Sequence, residues 1–327
     1  MNDLSIWYMT TGEAGFRTQA RGLASALGEA PRELVVELKA PWRGLPGRIA
    51  APFALGGLSA ASDRPRPPWP DLLISCGRRT TALSIAIRRA SRGKTLTVHV
   101  QNPLTAPSAF DLVVAMDHDG ISGPNVLSVP TALHDVTPER LAQAGAVWRG
   151  RLVKPGRPLL GVLLGGTTKH HPFETAEADV LIERLWRVRH ATGAALAVTP
   201  SRRTPQAVRE RIAQAFAGET FAGDADAFVW DMEGDNPYRG ILDLADRLVV
   251  TSDSVSMISE ALATPHPVEV FGPDGGRRHA AFLNGLIQRG LVRRFEGDPQ
   301  PPPAGGPINA TTLAAVAVRA LLAGRAG

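Results

Sequence analysis

Residues 159–168 read Leu-Leu-Gly-Val-Leu-Leu-Gly-Gly-Thr-Thr. Six uncharged residues run without a break and stop at a Gly-Gly pair followed by two hydroxyls. An apolar run of that length, closed by a turn signal, suits a strand buried on both faces. A helix-length segment follows at 178–192, then a second apolar run at 194–199 and a helical stretch at 206–216. The alternation continues through strands at 228–230, 247–251 and 268–270 and helices at 236–244, 255–263 and 277–289. Strand and helix in strict turn predict a parallel sheet covered on both faces.

Toward the N-terminus the same pattern recurs. Strands are expected at 4–9, 34–38, 72–75, 95–100, 112–115 and 126–129. Helical spacing appears at 17–27, through Ala20, Leu23, Ala24 and Leu27, and again through Leu83, Ile85 and Ile87. A polar, Pro-containing connector at 149–158 predicts domains at 1–150 and 151–327, with an Ala-rich last helix at 311–322 crossing back onto the first. The expected fold class is α/β, two Rossmann-like doubly wound domains facing a cleft. In such sheets ligands bind beyond the carboxyl ends of the strands.

The 327-residue chain is 44% hydrophobic and 20% charged, a globular balance with material for a core in each half. It carries 36 Lys+Arg against 31 Asp+Glu, a net charge of +5. The arginines are scattered and lack interleaved aromatics. That argues against nucleic acid and leaves anionic substrates or an anionic membrane surface as partners. The single cysteine, Cys76, can form neither an internal disulfide nor a CxxC zinc pair, and is expected buried at a strand end. No apolar run reaches the length of a membrane span, and the first residues lack the pattern of a signal peptide. The expected location is cytoplasmic, at most peripheral to the inner membrane; the oligomeric state is left open. Residues 41–53, Pro-Trp-Arg-Gly-Leu-Pro-Gly-Arg-Ile-Ala-Ala-Pro-Phe, mix Trp, aliphatic and Arg residues as membrane-interface segments do. A loop packed on its own domain would read the same way.

Three loops in the second half carry polar chemistry. Gly165-Gly166-Thr167-Thr168-Lys169 is either a tight turn or a nest of free amides for an anion, with the Thr167 hydroxyl and Lys169 charge added. It is neither a Walker loop nor GxGxxG. In Ser201-Arg202-Arg203-Thr204-Pro205, Thr204 suits a helix N-cap, and Arg202 and Arg203 suit a bidentate hold on a diphosphate. Asp253-Ser254-Val255-Ser256 opens a helix, where a phosphate is favoured, and Glu260 lies one turn in, where it suits the two hydroxyls of a ribose. The bland alternative is an N-cap and a surface glutamate. Three such loops on one sheet edge point to one nucleotide-diphosphate ligand. In the first half, Gly12, Arg78, Gln101 and Asn102 follow strands and are candidates for acceptor contact. Glu13 and Asp117 are candidate general bases. No metal is expected, since adjacent His170 and His171 point different ways. No cofactor is expected beyond the nucleotide-sugar substrate, and no GxSxG elbow supports a hydrolase.

Residues 75–79 (Ser-Cys-Gly-Arg-Arg), 110–114 with His118-Asp119, 123–126, 163–166, 199–205, 236–238 and 251–260 together resemble the mitochondrial fission Elm family over nearly the whole chain. The specific motifs are Thr-Pro-Ser-Arg-Arg-Thr-Pro at 199–205 and the Ser-rich run at 251–260. The resemblance implies a GT-B glycosyltransferase-like fold with the donor nucleotide on the second domain. The loop order is similar to that of the lipid-linked N-acetylglucosamine transferase of peptidoglycan synthesis. By that likeness Gly165, Gly166 and Thr167 would meet the diphosphate and Glu260 the ribose. Two features depart from the family pattern: loop 12–19 lacks the fuller glycine-rich form, and Asn102 stands where an Asp is expected.

The expected function is metal-independent GT-B transfer from a nucleotide-diphosphate sugar to a cell-envelope or lipid-linked acceptor. Arg202 would stabilise the leaving diphosphate, and Glu13 or Asp117 would act as base. The alternative is an inactive GT-B-like adaptor or membrane-associated binding protein. A sugar-nucleotide epimerase or dehydrogenase would need GxGxxG after the first strand, to which residues 12–15 do not extend.

Overall fold

The computed structural model describes residues 4–168, 172–216 and 226–326. It divides into two compact units: one runs to Asp135 and resumes at Asn309, and the other spans Val136–Ile308. The first holds β1 (Ile6–Thr10), α1 (Ala14–Leu27), β2 (Arg32–Val35), the single turn α2 (Gly47–Ala50), β3 (Leu72–Cys76), α3 (Thr81–Ala90), β4 (Leu96–Val100), β5 (Leu112–Met116) and β6 (Val126–Val129). Its sheet runs β2-β1-β3-β4-β5-β6, every pair parallel. The second unit holds α4 (Pro138–Leu152), β7 (Leu159–Leu164), α5 (Thr175–Thr192), β8 (Ala195–Pro200), α6 (Gln206–Phe216), β9 (Ala227–Val229), α7 (Tyr238–Leu244), β10 (Arg247–Thr251), α8 (Val255–Ala261), β11 (Val268–Phe271), α9 (Arg277–Gln288) and β12 (Arg293–Arg294). Its parallel sheet runs β12-β11-β10-β7-β8-β9. The last helix, α10 (Ala310–Ala326), belongs to the first unit.

The apolar runs become strands because each side of the sheet is covered. Along β7, Leu159 and Leu163 enter one cluster with Trp148, Ile241 and Leu283, while Leu160, Val162 and Leu164 enter another with Leu181, Leu185 and Ile212. Successive side chains alternate faces, so a strand buried on both must be apolar throughout. Gly161 interrupts β7 because α7 lies against it. A Cβ there would sit 2.6 Å from Ile241 Cγ2.

The unit boundary lies at Val136, earlier than the expected residue 150. Helix α4 packs on α7, with Trp148 seated against Gly240, so it joins the second core and the 149–158 connector is internal to that unit. Helix α10 packs on α1, burying Ala310, Ala314, Ala315 and Val318. Thr311 Oγ1 anchors its start by accepting from His134 N (2.9 Å) and donating to His134 O (2.8 Å). Two strands differ from expectation. β2 is an edge strand with only Leu34 buried, so its apolar signal is weak and it begins earlier than residue 34. β12 is two arginines paired beside β11, and carries no apolar signal at all.

Candidate functional site

In the second sheet the chain leaves β7 toward β8 on one side, and β10 returns on the other. That reversal makes β7 and β10 the switch point, where an open α/β sheet leaves a crevice at its carboxyl edge. Gly165 follows β7 and Ser252-Asp253 follows β10, so both loops meet there.

Asp253 ties the edge together. Its side chain is 5% exposed and pairs with Arg203 Nη2 at 2.9 Å. One carboxylate oxygen also accepts from Gly166 N (3.0 Å), and the other accepts from Thr251 Oγ1 (2.7 Å). Thr251 Oγ1 in turn accepts from Gly165 N at 2.7 Å. From the other side Ser201 Oγ donates to Gly165 O at 2.7 Å, and the Thr204 hydroxyl donates to the same carbonyl. Thr204 Oγ1 accepts from Ser201 N at 2.9 Å. Its hydroxyl thus joins loops instead of acting as the expected cap of α6.

These bonds change the reason for the two glycines. The sequence suggested that Gly165 and Gly166 let a ligand approach free amides. Both amides are instead engaged by Thr251 and Asp253. A Cβ on Gly165 would overlap the Asp253 carboxylate, and one on Gly166 would overlap the carbonyl of Arg203. The glycines are required by loop-on-loop packing.

Other groups face outward at this edge. Arg202 and Arg203 are exposed. Thr167 is exposed, its Oγ1 accepting from Phe173 N at 3.1 Å. Ser254 caps α8, accepting from Met257 N at 3.4 Å; Val255 and Ser256 occupy the first turn, partly exposed. Glu260 accepts a hydrogen bond from the Tyr238 hydroxyl, which draws α7 into the site. Lys169, with His170 and His171, lies outside the described residues.

Two cavities lie in this unit, one at the Asp253 node and one against α6. One, of about 140 Å³, is lined by Thr168, Ser252, Asp253, Gly275, Gly276 and His279. His279 Nδ1 accepts from Gly275 N at 3.0 Å, and Nε2 is buried with no partner among the described residues. Burial holds this imidazole below its usual value, against the opposing pull of the Asp253 and Asp274 carboxylates. The other cavity, of about 410 Å³, lies beyond β8 and β9 and includes Pro200, Gln206, Arg209, Trp230 and Asp231. Arg209 Nε is buried there without a partner among the described residues. Tyr238, His279, Arg209 and Trp230 were missed in the sequence; Tyr238, Arg209 and Trp230 sit in no hydroxyl- or glycine-rich motif. The signals that could have found two of the four are Asn236-Pro237-Tyr238, one strand before Glu260, and the glycine-rich stretch 272–276 that precedes His279.

The first-unit candidates share the carboxyl edge of their own sheet. Gly12 has φ +95° and donates to Thr10 Oγ1 at 3.1 Å. Glu13 is exposed and accepts from the Thr11 hydroxyl. Arg78 is exposed in the turn after β3. Gln101 has φ +78° and reaches Gln19 Oε1 at 3.4 Å. The Asn102 side chain shapes its own turn: Oδ1 accepts from Leu104 N (2.9 Å) and Nδ2 donates to Asp119 O (3.4 Å). Asp117 accepts from Ser128 Oγ at 2.6 Å. Cys76 is fully buried and its thiol pushed up by burial, which makes it a structural residue. Among the described residues no three His, Cys, Asp or Glu side chains gather as a metal set, and no helix is long and apolar enough to cross a membrane.

Residues 14–322 match the family model described as mitochondrial fission ELM1. The chain is 29% identical over 282 residues to the mitochondrial fission protein ELM1 of Arabidopsis thaliana, covering 78% of this chain and 65% of that protein. It therefore spans about two thirds of the plant relative's length. It is 24% identical over 260 residues to an uncharacterized protein of Rickettsia prowazekii (strain Madrid E), covering 69% of this chain and 72% of that one. In structure it is similar to the UDP-GlcNAc 2-epimerase from Neisseria meningitidis bound to UDP-GlcNAc, with a TM-score of 0.51 at 12% identity over 97% of this chain and 99% of that one. At that identity the likeness shows a shared GT-B-like fold of two Rossmann-like units.

Proposed function

The chain belongs to the mitochondrial fission ELM1 family, and we propose that its second unit binds a nucleotide-diphosphate sugar and transfers the sugar, without a metal, to a cell-envelope or lipid-linked acceptor. The observation that carries this is the Asp253 node. It fixes three loops at the switch point, holds Arg203 with Arg202 exposed beside it, and borders a cavity of about 140 Å³. Fixed guanidinium groups stabilise the negative charge that grows on a leaving diphosphate. Glu260, oriented by the Tyr238 hydroxyl, accepts from the ribose. The cavity of about 410 Å³, with Trp230 and Arg209 in its wall, has the size and mixed lining of a nucleobase pocket. Lys169 and the hydroxyls of Thr167, Ser254 and Ser256 supply further donors to the phosphates. On the first unit Gly12, Arg78, Gln101 and Asn102 contact the acceptor, and Glu13 or Asp117 takes its proton.

The test is a thermal-shift series with nucleotides and nucleotide sugars on wild type and Glu260→Ala. A ligand that binds only the native state raises the melting temperature by mass action. The proposal expects a shift with one nucleotide family that Glu260→Ala removes. Absence of any shift would overturn it and favour the adaptor reading, which the self-bonded Asn102 turn supports. Epimerisation is a second reading. A UDP-GlcNAc 2-epimerase shares this fold. Conversion of the sugar nucleotide with no acceptor present would favour the epimerase.

A further inference from the structure

From Leu38 to Ser62 the chain carries Lys39, Arg43 and Arg48 and not one carboxylate. Within it, residues 47–53 form nearly two helical turns, from α2 into a 3-10 turn. The inner face is Ala50, Ala51 and Ala54, all buried. A surface helix of a globular protein turns polar residues outward. Here the outward residues are Ile49, 58% exposed, and Phe53, 50% exposed, one turn apart, with Leu45 before them at 37%. Trp42 stacks on Phe53 with ring centroids 4.3 Å apart, which holds the aromatic edge of the patch in place.

The surroundings are cationic. Arg48, Lys39, Arg78 and Arg79 are exposed, and none has an ion pair among the described residues. Arg43 pairs with Glu37 at 3.1 Å, both half exposed. The patch is joined to the carboxyl edge of the first sheet through Thr81: Gly47 packs against its side chain, and its Oγ1 donates to Pro103 O at 3.3 Å. The next residue, Leu104, is 60% exposed at φ +52°, a backbone region a leucine rarely adopts.

We propose that this face of the first unit, centred on Leu45, Ile49 and Phe53, docks on an anionic lipid bilayer. Aliphatic and aromatic side chains enter the headgroup boundary while Arg48, Lys39, Arg78 and Arg79 meet lipid phosphates. Exposed apolar groups rimmed by cations, with Glu37 at the edge paired to Arg43, match that surface in both polarity and charge. The inference does not rest on nucleotide binding.

Co-sedimentation of the full chain with vesicles tests it, using phosphatidylcholine alone and phosphatidylcholine mixed with phosphatidylglycerol. Wild type pellets with the mixed vesicles, less so as salt is raised. Ile49→Asp/Phe53→Asp stays in the supernatant. Arg48→Ala weakens partition about fivefold, the effect of about 1 kcal/mol per cation near an anionic surface. These side chains are exposed, so circular dichroism and any nucleotide thermal shift remain those of wild type and separate this test from that of the donor site. Wild type left in the supernatant with both vesicles overturns the proposal. So does equal pelleting of the double variant, or a double variant that changes only the oligomeric state in sedimentation velocity, which would make the patch a contact between copies of the chain.

Discussion

Replacing Asp253 by alanine is expected to destabilise the second unit by about 3–5 kcal/mol, through the loss of two hydrogen bonds to one buried carboxylate. The magnitude follows from what the carboxylate holds. It accepts from Gly166 N and Thr251 Oγ1, and both donors lose a charged acceptor, at about 1.5–3 kcal/mol each. The Arg203 contribution is discounted, because that side chain is 48% exposed and water replaces the lost partner. Relaxation of the loops and entry of water recover part of the sum, which brings it to the stated range. Urea unfolding followed by circular dichroism reads the loss as a fall in midpoint at constant slope. The same variant should lose any nucleotide-induced thermal shift, since the three loops no longer share a brace. A loss below about 1 kcal/mol would refute the reasoning: water would be serving the three donors as well as the carboxylate does, and the glycine loop would hold its shape unaided.

Gly166→Ala should likewise lose the nucleotide shift and cost about 1–3 kcal/mol, because its Cβ meets backbone that cannot rotate away. Gly15→Ala has open space around it and should leave stability unchanged or raise it by up to about 1 kcal/mol; a loss there equal to that of Gly166→Ala would show that the overlap is not the cause. Acid sensitivity should follow the buried histidines. Burial lowers His99 to about 3 and His134 to about 4 from an ordinary 6.5. Above 6.5 neither state binds these protons and their contribution is intact. As pH falls below 6.5 the unfolded chain binds protons that the native state refuses, so stability is lost down to about 4 and then 3, by roughly 1.4 kcal/mol per pH unit for each histidine. Urea midpoints from pH 7 to 4.5 check this, and an acid limb just as steep in His99→Leu would count against it.

Much of the fold was legible because parallel sheets write themselves plainly. Each central strand must be apolar on both faces, as 159–164 and 248–250 are, and each helix shows one stripe. The signal fades where burial is partial. β2 and β12 lie at sheet edges, and their residues are half exposed or paired arginines. The unit boundary was misplaced because α4 carries an ordinary helical pattern. Nothing in that pattern says which core Trp148 will enter, and the answer lies in α7, far along the chain.

By itself the sequence determined which loops lie at the carboxyl edges of the two sheets, since in a parallel sheet every strand ends on the same side. It therefore brought Gly165, Ser201 and Asp253 to one edge before any coordinate was known. Only the tertiary structure decided what those residues do there. Hydrogen-bond partners depend on ångström-scale distances between segments 36 to 87 residues apart. An Asp and a Gly-Gly pair that look like ligand donors in a string become, once packed, each other's partners. The arginines, the Tyr238–Glu260 pair and the two cavities are what that packing leaves facing outward.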